Sequence, residues 1–164
     1  MKKILIINTG GTFNKVYNPL TGNLDIEPKG KAIKAIAKAW LTEFKIKNIV
    51  GKDSLNITKE DRTLIIKTIQ ESNINNIIIV HGTDTIDKTA KSIKNANIKK
   101  NIILTGAMVP YSINPIESVA NLTSAYGYLQ SSHQKGVFIS MNGIIKDYKR
   151  VVKNKEKGYF EESK

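Results

Sequence analysis

The sequence predicts a three-layer α/β/α sandwich: a mainly parallel, doubly wound sheet with helices on both faces, in a single domain. Short and almost uninterrupted apolar runs (KILIIN, NIIIV, NIIL, GVFISM) alternate with longer segments of helical periodicity. A strand apolar on both sides is a strand covered on both sides, which is the habit of parallel sheets. The length of 164 residues, 40% of them hydrophobic, fits one domain with a real core.

Each element has its own signal. Residues 3–8 (KILIIN) form a β-branched run ended by glycines, a buried strand. Residues 28–44 carry Ile33, Ile36, Trp40 and Phe44 at helical spacing, with Pro28 near the start. Residues 47–51 make a second short strand. Thr58 caps a helix with Glu60 and Asp61 in its first turn, running to about residue 72. Residues 76–80 are the third strand, and Ile86, Ala90 and Ile93 mark the next helix. Residues 101–104 are the fourth strand. Asn114 and Pro115 then supply an N-cap and a first helical residue, with Val119, Leu122, Tyr126 and Leu129 on one face. Residues 136–141 are the fifth strand; beyond it the chain is polar and lysine-rich, and residues 153–164 are expected to be a flexible tail. Right-handed crossovers complete the expected Rossmann-like or flavodoxin-like sandwich.

Composition narrows the function. The net charge of +12 first suggests nucleic acid. Only Arg62 and Arg150 are arginine, however, and the lysines are dispersed rather than gathered in a block. A solvated basic surface is the better reading, and nucleic acid is not the expected partner. With no cysteine there is neither a disulfide framework nor a thiolate metal site. No apolar stretch approaches a membrane span, and the run after Met1-Lys2-Lys3 is too short for a signal peptide. Cytoplasm is the expected compartment.

Ligands of open α/β sheets bind outside the carboxyl ends of the strands. There the chain places T9-G10-G11-T12, H81-G82-T83-D84-T85 and T105-G106-A107-M108. Each sets a glycine beside small polar residues, where backbone approaches a ligand closely. Neither a dinucleotide fingerprint nor a P-loop is present, so no cofactor is expected. His81 and His133 share no ligand spacing, and no metal is expected. His81 reads as a satisfied strand-end residue. Without a G-x-S-x-G elbow, the candidate nucleophiles are threonines, each needing a neighbour to take its proton. Thr12 with Tyr17, and Thr83 with a distant lysine, are the chemically sensible pairs.

TGGT after the first strand, HGTDT after the third and GAM after the fourth together resemble the bacterial-type L-asparaginases. The likeness covers the whole chain and corresponds to the amino-terminal domain of a typical member; the second, smaller domain is expected to be absent, as in a short-chain asparaginase. The resemblance implies that Thr12 is the nucleophile and that Tyr17, on the loop YNPLTGNL, activates it, at a spacing shorter than the family's usual one. It implies that Thr83 is the second catalytic threonine, that Asp84 holds the substrate's α-ammonium and that Gly82 lies against the substrate beside them. Asp53-Ser54 followed by T58-K-E-D61 resembles the family's α-carboxylate segment, with Ser54 as the binding residue. Ala107 would offer its carbonyl to the leaving ammonia. Lys153 falls on the catalytic lysine, although Tyr148, Lys149 and Arg150 replace the flanking glycine, arginine and aspartate.

The implied activity is an amidohydrolase that releases ammonia from L-asparagine, with L-glutamine a minor substrate, working as a homo-oligomer (dimer or tetramer). Two rivals stand beside it. One is a non-catalytic or ammonia-supplying asparaginase-like subunit. The other is a binding protein whose lysines meet RNA or another polyanion.

Overall fold

The computed structural model describes residues 1–163. In chain order the elements are β1 (Ile4–Gly10), β2 (Lys15–Tyr17), β3 (Leu24–Ile26), α1 (Lys31–Ala39), β4 (Lys45–Lys52), α2 (Lys59–Glu71) and β5 (Asn76–Val80). There follow α3 (Ile86–Asn95), β6 (Asn101–Thr105), α4 (Pro115–Ser131), β7 (Gly136–Met141), β8 (Ile144–Asp147), β9 (Val151–Asn154) and β10 (Tyr159–Glu162). The central sheet runs β4-β1-β5-β6-β7-β8; its first five strands are parallel and β8 is antiparallel to β7.

Register sorts the apolar side chains into two layers. Ile6, Ile78, Ile103 and Phe138 sit opposite one another in adjacent strands. They pack with Ile33 and Ile36 of α1 and with Leu122, Ala125 and Leu129 of α4. Their neighbours in sequence point the other way, as strand alternation requires. Leu5, Ile7, Ile77, Ile79, Ile102, Leu104, Val137 and Ile139 pack with α2 and α3.

This division corrects the expected winding. The steps β1–α1–β4, β4–α2–β5 and β5–α3–β6 share one hand, because the helix changes face when the direction along the sheet changes. The step β6–α4–β7 continues in the same direction as β5–α3–β6, yet α4 lies on the α1 face. That crossover therefore has the opposite hand, against the strong usual preference. Residues 106–114 give the chain length to change face. The apolar stripe of α4 then covers the Ile78–Ile103–Phe138 row, which α1 alone leaves open.

The region expected as a tail is also corrected. Asn142 (φ 50°) and Gly143 (φ 78°) make the two-residue turn of the β7–β8 hairpin, where both positions need left-handed backbone. β9 and β10 then pair antiparallel, and Phe160, 2% exposed, enters the core beside α2 and α3 together with Val151 and Tyr148. Burying an aromatic ring is reason enough for this ribbon to stay on the fold. A second ribbon, β2–β3, leaves the body just after β1. Among the described residues, no helix is long and apolar enough to cross a membrane.

Candidate active site

β1 lies between β4 and β5, so the connections leaving β1 and β5 diverge to opposite faces. A crevice opens at such a switch point. Its floor is backbone. Gly11 has φ 74°, and a Cβ there would stand 2.5 Å from the Cα of Gly82; a Cβ on Gly82 would stand 2.6 Å from that of Ser54. Three segments of the chain thus meet with no room for a methyl group. The amide of Gly11 donates to the carbonyl of Lys52 (3.0 Å), made reachable by an irregularity in the β1–β4 pairing.

On this floor the side chains converge. Lys153 Nζ donates to Thr83 Oγ1 (2.8 Å) and to Asp84 Oδ1 (2.6 Å), drawing together residues 70 and 69 apart in sequence. Lys153 is 15% exposed and Asp84 37%, so the pair is half-sheltered with the carboxylate still reachable from outside. The amide of Asp84 donates to Ser54 Oγ (3.2 Å), and the Thr85 hydroxyl to the Ser54 carbonyl (2.8 Å). Asp53 caps the short turn that carries Ser54, accepting from the amide of Leu55. The Lys15 ammonium hydrogen-bonded to Asp53 holds its carboxyl below the usual carboxylate range.

Thr12 opens a turn at residues 12–14 whose end is closed by the Lys15 amide donating to the Thr12 carbonyl. The hydroxyls of Thr9, Thr85, Thr89 and Thr105 are all engaged in hydrogen bonds. That of Thr12, which is only partly buried, has no partner among the described residues. Tyr17, in β2, is 63% exposed and forms no hydrogen bond with Thr12. The structure therefore brings Thr83, Asp84, Lys153, Ser54 and Gly82 together, and leaves Tyr17 apart.

His81 is fully buried, and its ring nitrogens are both used. Nδ1 donates to the Gly82 carbonyl (2.7 Å), so Nε2 is the acceptor for the Thr89 hydroxyl (2.8 Å). Arg62 Nε donates in turn to Thr89 (3.1 Å). Burial pushes the imidazole pKa down to about 4, which keeps it neutral. His81 is a structural acceptor and donor, as its strand-end position suggested. Among the described residues, no three His, Cys, Asp or Glu side chains converge as a metal site would require.

The family model described as Asparaginase, N-terminal, matches residues 3–160. The chain belongs to that family. A glutaminase-asparaginase of Acinetobacter glutaminasificans is 27% identical over 154 residues, covering 87% of this chain and 46% of the relative. A glutamyl-tRNA(Gln) amidotransferase subunit of Methanococcus vannielii is 31% identical over 156 residues, covering 90% and 36%. Among solved structures, the L-asparaginase of Thermococcus kodakarensis superposes with a TM-score of 0.84 at 24% identity, covering 98% of this chain and 51% of that one. A probable cytoplasmic L-asparaginase from Campylobacter jejuni gives 0.78 at 26%, covering 99% and 52%. The chain spans about half the length of the curated relatives it matches, or less.

Within this asparaginase N-terminal fold, three residues at the site carry no motif that marks them in the sequence. Glu117 accepts from the amides of Met108 (3.0 Å) and Val109 (3.0 Å), holding the loop that carries the fully buried Ala107. Asn121 donates to the Gly106 carbonyl (2.9 Å) and accepts from the amide of Asn142 (3.0 Å). Arg62 spans from the Ile57 carbonyl to Thr85 and Thr89. Glu117 in the first turn of a helix looks like ordinary dipole compensation, which hides its second use.

Proposed function

We propose that this asparaginase-family chain hydrolyses L-asparagine to L-aspartate and ammonia through an acyl-enzyme on Thr12, with L-glutamine a poorer substrate. The observation that carries the reading is the contrast between two threonines. Thr83 is locked to Lys153 beside Asp84 and Ser54, while Thr12, next to the Gly11–Gly82 contact, has no hydrogen-bond partner for its hydroxyl among the described residues.

Asp84 would take the substrate's α-ammonium and Ser54 its α-carboxylate, presenting the side-chain amide in attack geometry. Thr12 Oγ adds to the amide carbon and its proton passes to Tyr17, which reaches it by closure of the β2–β3 ribbon. A backbone N–H near Thr83 steadies the oxyanion, and the C–N bond breaks as Tyr17 hands that proton to the nitrogen, which leaves as ammonia past the Ala107 carbonyl. Water then attacks the ester and gives its proton to the Thr83–Lys153 pair. The pair returns that proton to Thr12 as it leaves, and L-aspartate is released. An ammonium drawn to Asp84 takes that carboxylate from Lys153, and the lysine acts as base once it has released its own proton to solvent, leaving an amine with a free lone pair.

The test is ammonia release from asparagine and glutamine. Thr12→Ala is expected to lose ~10³-fold or more of kcat; full retained rate would remove Thr12 as nucleophile. The crevice is open to solvent at Asp84, and we further propose that a second copy of the chain closes it. Sedimentation of an active preparation is expected to show a dimer or tetramer, and monomer alone would end that part. The amidotransferase relative supports a second reading, an ammonia-supplying subunit. A preference for glutamine over asparagine would favour it.

A further inference from the structure

We propose that Lys15 is a positioning residue, whose ion pair with Asp53 clamps the segment carrying Thr12 onto the segment carrying Ser54. Its kinetic consequence rests on the amidohydrolase reading; the clamp itself does not.

Among the described residues the β2–β3 ribbon pairs with no other strand, and each of its strands has three residues. A ribbon that small does not hold its own place. Lys15, at its base, makes three ties. Its amide donates to the Thr12 carbonyl, and its carbonyl accepts from Ser112 Oγ (2.7 Å). Its Nζ lies 2.8 Å from Asp53 Oδ2, with side-chain exposures of 24% and 30%. Moving Lys15 therefore moves the turn that begins at Thr12.

Asp53 is a firm anchor. It caps the turn of residues 54–56, and Ser54 beside it is buried. The nearby cations are spoken for: Lys52 pairs with Asp61, and Arg62 is committed to Thr85 and Thr89. Side chains alternate along a strand, so Lys15 and Tyr17 share the face of β2 that looks toward Asp53. The clamp thus fixes the side from which Tyr17 approaches the crevice as well as the position of Thr12.

Lys15→Met removes the charge. Asp53→Asn removes it from the other end while keeping an oxygen to cap Leu55. Hydrogen exchange of amides 15–26 without substrate reads the clamp directly. Each single variant is expected to speed that exchange about fivefold, the size of one partly exposed ion pair. The double variant should be no faster than either single, since one interaction is lost once. Lys15→Arg should restore wild-type exchange, and about 1 M salt should shrink the difference between wild type and variants. With L-asparagine, the same variants are expected to raise KM about fivefold and to change kcat less. Unchanged exchange in the singles, additive effects in the double, or equal acceleration across the whole sheet would overturn the clamp. If wild type releases no ammonia, the amidohydrolase reading falls while the exchange comparison still decides the clamp.

Discussion

Thr12 and Thr83 carry the same side chain in opposite surroundings. Thr83 is buried and its oxygen accepts from an ammonium, whereas Thr12 stands at the head of a short turn with its hydroxyl unclaimed among the described residues. A nucleophile must keep its oxygen available, and a proton-relay residue must be held, so the two environments suit two different jobs. Tyr17 is the residue whose proposed role asks most of the fold. It sits exposed in the ribbon, and the proposed role requires that ribbon to close over Thr12. Tyr17→Phe keeps the ring and removes the proton acceptor, and kcat is expected to fall about hundredfold or more. A loss under tenfold in steady-state ammonia release would mean that the Thr12 proton goes elsewhere.

Among the elements, the strands β5, β6 and β7 are legible as apolar runs, and the caps of α2 and α4 are written in Thr58 and Asn114. α1 is shorter than its apolar spacing suggests, because Leu41 turns left-handed (φ 51°) just beyond Trp40 and ends it. β9 and β10 are not legible, because a two-stranded ribbon with few buried side chains has no apolar run; the Asn142-Gly143 pair is the available sign that the chain turns back. Thr83 and Asp84 are readable in their motif, but their meeting with Lys153 depends on that hidden ribbon. The junction of β5 with α3 also makes a prediction about pH. His81 binds its proton with a pKa of about 4 when folded, against an ordinary 6.5. Between these values the unfolded chain is the better proton binder, so stability falls as pH falls from 6.5 to 4. The expected loss is on the order of 3 kcal/mol. Urea midpoints should decline over that window in wild type, and the His81 share of the slope should vanish in His81→Gln.

For the molecule as a whole, the face a helix takes cannot be read from its amphipathic stripe, and the hand of the β6–α4–β7 crossover is hidden for that reason. With α4 on the α1 face, part of the opposite face is left to Phe160, Val151 and Tyr148, and the ribbon that seats them also carries Lys153. Core and site are therefore one structure there. Phe160→Ala is expected to cost about 3–5 kcal/mol of stability. It should also lower kcat at temperatures where the rest of the sheet is still folded; near-UV and far-UV melts compared with rates would detect the separation. Normal kcat in such a variant would show that Lys153 is held without the ribbon's buried ring. The same arrangement has a consequence in time. Synthesis runs from the amino terminus, so all five parallel strands and both threonines exist before Lys153 is made. A nascent chain that has already folded its sheet carries the crevice without the lysine that ties Thr83 to Asp84, and gains that tie only when residues 151–162 emerge and dock.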